Sequence, residues 1–151
     1  MEKKNDWINQ ILPDLSEVET GRVLSQNAIS HSNRTLSNEE FVLKTKQQIQ
    51  KDFAKFNLEF RENFIFDLWT KEEIELAIQE NLAIIIKFGE TKLMQLLYTI
   101  DIPEEQFLRL TQEQNFLPLL AETILKREAL KVFFRSKFNF FLPSLRRDRG
   151  R

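Results

Sequence analysis

The chain of 151 residues contains no cysteine, one histidine, three glycines and four prolines. Without cysteine, disulfides, thiolate metal ligands and a cysteine nucleophile are excluded. So little glycine and proline argues against a turn-rich β sandwich or barrel, because those folds use these residues at most strand connections. The single histidine, His31, lies in a polar stretch, so we expect neither a catalytic triad nor a multi-histidine metal site. We predict a non-enzymatic helical protein that needs no cofactor.

The amino terminus is also short of apolar residues. Met1 to Asp6 are charged or polar for the most part and lead into only a brief apolar stretch, so neither a signal peptide nor a membrane-spanning helix is expected. A hydrophobic content of 42% with 30% charged residues is typical of one globular domain. We therefore expect a cytoplasmic protein.

A capping box at Ser37 and Glu40 predicts the start of a helix that continues to about Asn57. The apolar residues on its inner side are Phe41, Val42, Thr45, Ile49, Phe53 and Phe56. Its other side is expected to face solvent and consists of Lys44, Lys46, Gln47, Gln50, Lys51 and Lys55.

A second capping box, Thr70 with Glu73, predicts a helix that ends at Gly89. Apolar residues recur along it at helical spacing, namely Ile74, Ala77, Ile78, Leu82, Ile85 and Phe88. The run from Leu82 to Ile86 is apolar on every side, which predicts a central position for this helix; a buried strand is the alternative.

Three further helices follow from the same criteria. Glu90–Ile100 carries Leu93, Leu96, Leu97 and Ile100 on one face, and Asp101 with Pro103 predicts the start of a short helix. A last long helix is predicted from near Asn115, since Pro118 is tolerated in a first turn. Its core residues would be Leu117, Leu120, Ala121, Ile124, Leu125, Ala129, Val132 and Phe133.

These patterns together predict an all-α fold, a single-domain bundle of about five helices. Apolar residues partly alternate between Leu58 and Trp69, a pattern that is compatible with one short strand or extended segment. We divide the chain into residues 1–36, a short N-terminal helix with a polar loop, residues 37–138, the helical domain, and residues 139–151, a basic aromatic tail. The N-terminal helix is predicted from Trp7, Ile8, Ile11, Leu12 and Leu15, with Pro13 ending or kinking it.

The sequence contains the residues of one pattern found in metal-dependent nucleases, an Asp followed later by Glu-x-Lys. It consists of Asp14 followed much later by Glu90, Thr91 and Lys92. That chemistry needs its acids on adjoining strands, whereas here both parts fall at predicted helix ends. Other acidic pairs, such as Glu72 and Glu73, lie in predicted first turns, where the helix dipole favours negative charge. We assign no catalytic or metal-binding residue from these patterns.

The basic residues are concentrated at the carboxyl end. Residues 126–151 contain nine Lys or Arg against two acidic residues, which leaves residues 1–125 with a net charge of −8. A second apolar row on the last helix continues into the tail as Leu130, Phe134, Phe138, Phe140 and Phe141. It is flanked by Arg127, Lys131, Arg135, Arg146 and Arg147, and the two sets together are the predicted partner-binding residues.

Three interpretations of this row compete. The aromatics are core residues that pack under the segment containing Trp7, or they form a docking face for a partner protein or a second copy. Alternatively, they bind nucleic acid or an anionic membrane surface, where basic side chains meet phosphate. No small-molecule substrate is evident from the residues. The docking interpretation is preferred, with a nucleic-acid-binding accessory protein as the alternative.

The segment Leu93 to Glu104, followed by Leu120 to Glu128, resembles small helical proteins and domains of bacteria that have no assigned activity. The resemblance lies in the residues that start and end helices and in the core leucines. It implies an adaptor or assembly module of a bacterial cytoplasmic complex, and it assigns no catalytic residue.

Overall fold

The computed structural model describes residues 37–141, with side chains described from residue 37 to residue 137. This part of the chain is a single-domain bundle of helices, so the predicted all-α class is confirmed. The helices are α1 (Asn38–Ala54), α2 (Asn63–Phe66), α3 (Lys71–Lys87), α4 (Glu90–Ile100), α5 (Glu104–Leu110) and α6 (Phe116–Phe141). The predicted N-terminal helix and the polar loop after it, and tail residues 142–151, lie outside the described residues.

Both predicted capping boxes are present. The Ser37 hydroxyl accepts from the Glu40 amide at 3.2 Å, and the Glu40 carboxylate accepts from the Ser37 amide at 2.9 Å. At the start of α3 the reciprocal bonds between Thr70 and Glu73 are 3.1 and 2.8 Å. Each box satisfies amides that would otherwise lack a partner, which stabilises a helix by about 1 kcal/mol.

The predicted stop at Gly89 is also confirmed. Phe88 is the C-cap of α3, and Gly89 follows with φ 116° and serves as the N-cap of α4. Residues with a side chain rarely adopt this backbone conformation, so glycine is needed where α3 turns into α4.

The segment before α3 contains one helical turn where alternation had suggested an extended stretch. The Phe60 and Phe64 rings stack with centroids 4.4 Å apart, and Phe64 meets Trp69 edge to face at 5.2 Å. The Trp69 indole donates to the carbonyl of Asn63, the first residue of α2, at 3.0 Å. The alternation of apolar residues therefore reflects an aromatic cluster that closes one end of the core, with Leu58 buried beside it.

The central element is α6, which packs against α1, α3, α4 and α5. Its predicted stripe is confirmed: Leu120, Ala121, Ile124, Leu125, Ala129 and Val132 are buried, and Leu117 and Phe133 are partly buried against the core. The prediction that α3 is central was wrong. Ile74, Ile78, Leu82 and Ile85 of α3 are buried, but Ile84 and Ile86 are 46% and 39% exposed. One side of α3 therefore lines the core and the other faces outward.

A second correction concerns Lys46, which was expected on the solvated side of α1. Its side chain is buried, with Nζ donating to the Asp67 carbonyl at 2.7 Å and lying 5.8 Å from the centroid of the Phe64 ring. Burial lowers the pKa of the Lys46 ammonium, although the Asp67 carboxylate opposes that effect. The helical period places Lys46 near the edge of the solvated side, and α2 covers that edge.

Candidate interaction surface

The outward side of α3 is unusually apolar. Four large side chains are exposed there or immediately after it: Leu76 at 56%, Ile84 at 46%, Ile86 at 39% and Phe88 at 71%. Ala83 is exposed between them. We call these five residues the α3 face. Ile84 and Phe88 are one helical turn apart, while Ala83 connects them to Leu76 along the helix, so the apolar side chains form neighbouring groups.

Two exposed residues of opposite charge, Glu80 and Lys87, lie between the residues of the α3 face. Leu76, Glu80, Ala83 and Lys87 follow one another at intervals of four, three and four residues, and all four are exposed. This spacing is that of a single outward row on a helix, because 3.6 residues complete a turn. Within residues 37–141, neither Glu80 nor Lys87 forms an ion pair. In the described part of the chain, the apolar α3 face is therefore accompanied by one unpaired anion, Glu80, and one unpaired cation, Lys87.

A groove adjoins one end of this face. It has a volume of about 380 Å³ and is lined in part by Phe60, Trp69 and Leu76, with carboxylates from Glu59 and Glu80 among its polar groups. Leu76 and Glu80 thus belong both to the groove and to the outward row of α3. The groove extends the surface that a bound partner would meet.

A second polar arrangement lies inside the bundle, between α1 and α6. Lys131 places its ammonium 2.7 Å from Oδ2 of Asp52 and 3.0 Å from Oε1 of Glu128. Gln48 donates to Asp52 at 3.1 Å and accepts from Arg135 at 2.8 Å. Asp52 is 2% exposed and Glu128 is fully buried. We call these five residues the α1–α6 polar cluster.

The two carboxyl groups of this cluster differ in protonation. Burial, together with a hydrogen bond to Asp52, raises the pKa of Glu128 to about 9. As a carboxylate, Glu128 would have no hydrogen bond of good geometry, whereas as a carboxylic acid it can donate to Asp52. Burial would raise the pKa of Asp52 as well, but hydrogen bonds with Glu128 and Lys131 outweigh it and hold that pKa below its ordinary value.

The α1–α6 polar cluster is closed to solvent on its acidic side, so a substrate cannot reach either carboxyl group. Its contacts connect two long helices through the Lys131 ammonium, the Asp52 carboxylate and the neutral Glu128 acid, and through the hydrogen bond from Arg135 to Gln48. Such a group fixes the alignment of α1 against α6, since sliding either helix would leave a buried charge without its partner. We read it as a structural device of the fold.

The predicted partner-binding residues are distributed over different environments. Phe134 is 43% exposed and meets Phe133 edge to face at 5.7 Å, while Leu130 is half-buried. Lys131 and Arg135 turn toward α1 in the polar cluster. Arg127 donates to Asp101 at 2.8 Å. The side chains of Phe138, Phe140 and Phe141, and residues Arg146 and Arg147, lie outside the described residues.

Sequence reasoning missed both the α3 face and the buried acids. The signal for the face was present, because the run from Leu82 to Ile86 has more apolar residues than one side of a helix can bury. For the acids the signal was weaker. Glu128 and Lys131 have the spacing of a helical ion pair, but nothing in the sequence aligns them with Asp52 on another helix.

No site for a metal ion emerges from the residues that the structure describes, where His, Asp and Glu side chains do not gather in groups of three. Glu90 lies in the first turn of α4, and Asp14 of the nuclease-like pattern lies outside the described range. None of the helices between residues 37 and 141 combines the length and hydropathy needed to cross a bilayer.

Comparisons of the chain with protein-family models, with curated proteins and with solved structures found no match. The resemblance to small helical bacterial proteins therefore stays a prediction, and the function has to be argued from the residues themselves.

Proposed function

We propose that this chain is a non-catalytic protein–protein interaction module, and that its contact surface is the α3 face. The observation that carries the proposal is that Leu76, Ile84 and Phe88 are exposed along one side of α3 or immediately after it, while the opposite side of the helix fills the core. Exposed apolar side chains grouped in this way are typical of surfaces that a partner covers.

The energetics favour contact with another protein. Removing a Leu, Ile or Phe side chain from water contributes about 1.5–3 kcal/mol, in proportion to the area that is covered. The face stands on α3, which is anchored by a capping box at Thr70 and by four buried apolar residues, so little conformational entropy would be lost when a partner binds. Glu80 and Lys87 would then select the orientation of the partner.

The nucleic-acid alternative depends mainly on arginines beyond the described residues, at positions 146, 147 and 149. Within the bundle, Arg127 is paired with Asp101, and Lys131 is paired with Asp52 and Glu128. These pairings leave less positive charge for phosphate than the sequence suggested, and they support a protein as the partner. An adaptor or assembly role in a bacterial cytoplasmic complex is the form of this function that we propose.

A photoreactive amino acid placed at position 84 tests the proposal. The full chain would be produced in the cells it comes from and irradiated, and the adducts would be identified by mass spectrometry. The matched control is position 108, where Leu108 on α5 is also apolar and is 51% exposed. We expect a discrete protein adduct from position 84 and none from position 108.

Two outcomes would contradict the proposal. The first is that position 84 gives no adduct beyond those of position 108, which would mean that the α3 face meets only solvent. The second is that the adducts of position 84 are nucleic acid, in which case the alternative function would replace this one.

A further inference from the structure

We propose that the partner of the α3 face is a second copy of this chain, with the two α3 helices packed antiparallel about a twofold axis that passes between Ala83 and Ile84. This inference rests on the proposed function, because it names the partner of the same surface. It is drawn from the order of side chains along the outward row of α3.

The charges of the row fit twofold symmetry. In an antiparallel pair centred between residues 83 and 84, two residues from different copies lie at the same height when their numbers add up to the same total as 83 and 84. Glu80 of one copy therefore lies level with Lys87 of the other. Symmetry repeats the contact, which gives two ion pairs from one anion and one cation per chain. A parallel pair in register would instead place Glu80 against Glu80 and Lys87 against Lys87, which is repulsive.

The apolar residues fit the same register. Ala83 lies at the centre of the row, where its small side chain lets two helix backbones approach to within the 8–10 Å or so that is usual for packed helices. Ile84 lies on the other side of the twofold axis, which carries it onto its own symmetry mate, so the Ile84 side chains of the two copies would pack against each other.

The two charges are available for this contact. Glu80 and Lys87 are both exposed, and neither is engaged in an ion pair within the described part of the chain. They are separated by seven residues, or roughly 10 Å along a helix. That spacing places one ion pair on each side of the twofold axis, with the apolar centre between them.

The first experiment measures the mass of the full chain in solution by sedimentation over a wide range of concentration. We expect a monomer–dimer equilibrium, weakened at least ~100-fold by Ile84→Asp, since a carboxylate at the centre of the contact would be buried without a partner. Leu108→Asp, at an apolar residue of similar exposure on α5, should leave the equilibrium unchanged. A monomeric wild-type chain, or a dimer that survives Ile84→Asp, overturns the inference.

Charge reversal tests the register. Glu80→Lys and Lys87→Glu should each weaken the dimer, by about 10-fold, because each creates two like-charged contacts across the axis. The double variant E80K/K87E restores opposite charges at both contacts and should recover most of the lost affinity. If the double variant is as weak as the single ones, the antiparallel register is wrong.

The lack of cysteine in the chain allows a third, geometric test. Ala83→Cys places a thiol beside the twofold axis, so mild oxidation should convert the variant to a covalent dimer. Leu108→Cys serves as the control and should stay monomeric on denaturing gels. Equal cross-linking of the two variants would count against the proposed contact.

Self-pairing and the broader proposed function can fail separately. If the purified chain is monomeric while position 84 cross-links a different protein in cells, the second copy is excluded as the partner and the interaction function stands. If position 84 cross-links nothing and the chain is monomeric, both fail.

Discussion

Lys131 of α6 holds its ammonium 2.7 Å from the carboxylate of Asp52 on α1, although 79 residues separate the two along the chain. The neighbouring Glu128 is buried as a neutral acid, so Asp52 is the one anion of the cluster and the Lys131 ammonium balances it. The second cation, Arg135, is exposed and donates a hydrogen bond to Gln48. Charge balance inside the bundle is thereby achieved with three ionisable groups. The arrangement also fixes how far along α6 the helix α1 lies.

Replacing Lys131 with methionine should destabilise the fold strongly. The variant keeps the aliphatic part of the side chain but leaves the buried Asp52 carboxylate with only the distant, mostly exposed Lys55 ammonium, 4.0 Å away, and breaking a buried ion pair in this way typically costs about 3–5 kcal/mol. Equilibrium unfolding in urea measures the change in free energy. Asp101→Asn is the control, because the Arg127–Asp101 pair is exposed and should contribute at most about 1 kcal/mol. Similar losses in the two variants would show that the cluster is unimportant for stability.

The raised pKa of Glu128 predicts an unusual pH dependence. The folded state keeps this proton up to a pKa of about 9, whereas the unfolded chain releases it near the ordinary glutamate pKa of 4.5. The contribution of Glu128 to the free energy of unfolding is therefore complete below pH 4.5 and declines as the pH rises toward 9. Its slope approaches at most ~1.4 kcal/mol per pH unit.

Glu128→Gln should remove this decline, since glutamine is neutral at every pH. The difference between the unfolding free energies of the variant and the wild type should increase from pH 5 to pH 9. Glu122→Gln, on the same helix with a side chain that is 39% exposed, is the matched control. A constant difference between E128Q and the wild type across that range would mean that Glu128 is ionised in the folded state.

Truncation of two adjacent residues of α3 should destabilise the fold to very different extents. Ile85 is 1% exposed and Ile84 is 46% exposed. Ile85→Ala removes buried methyl groups and leaves a cavity, which costs about 2–4 kcal/mol. Ile84→Ala should cost less than about 1 kcal/mol when it is measured by urea unfolding at concentrations where the chain is monomeric. Equal losses would place both side chains in the core and remove the basis for the α3 face.

Gly89→Ala should destabilise the chain through its backbone alone. An added Cβ would have no atom within 4 Å, but the φ of 116° is strained for any residue other than glycine. The expected loss is about 1–3 kcal/mol in urea unfolding. Asn57→Gly is the control at another positive φ, 61°, where glycine removes strain and should change stability little. An unaffected G89A variant would mean that the turn between α3 and α4 can rearrange.

The helix boundaries and the core stripe of α6 could be predicted from the sequence because they depend on nearby residues. The capping residues Ser37 and Thr70 and the stop at Gly89 act within a few positions of themselves, so the sequence alone located the ends of those helices. The core stripe of α6 was predicted for a similar reason, because helical spacing determines which residues share a side.

Other features depend on neighbours that the sequence does not specify. Whether Ile84 is covered depends on whether another element packs on that side of α3, and within the described residues none does. Lys46 and Asp52 are buried because α2 and α6 cover their sides of α1. Helical spacing separates the sides of a helix, but tertiary packing decides how much of its circumference is enclosed.

Because α6 is the central helix, the hydrophobic core cannot form during translation until α6 has been synthesised. Helices α1, α3 and α4 leave the ribosome before α6, so their core-facing leucines, isoleucines and phenylalanines must wait for a helix that begins only at Phe116. The contact between Asp52 and Lys131 closes a loop of 79 residues, and such distant contacts slow folding and prolong the exposure of apolar surface. A nascent chain stalled before Val132 should therefore be a strong client of chaperones.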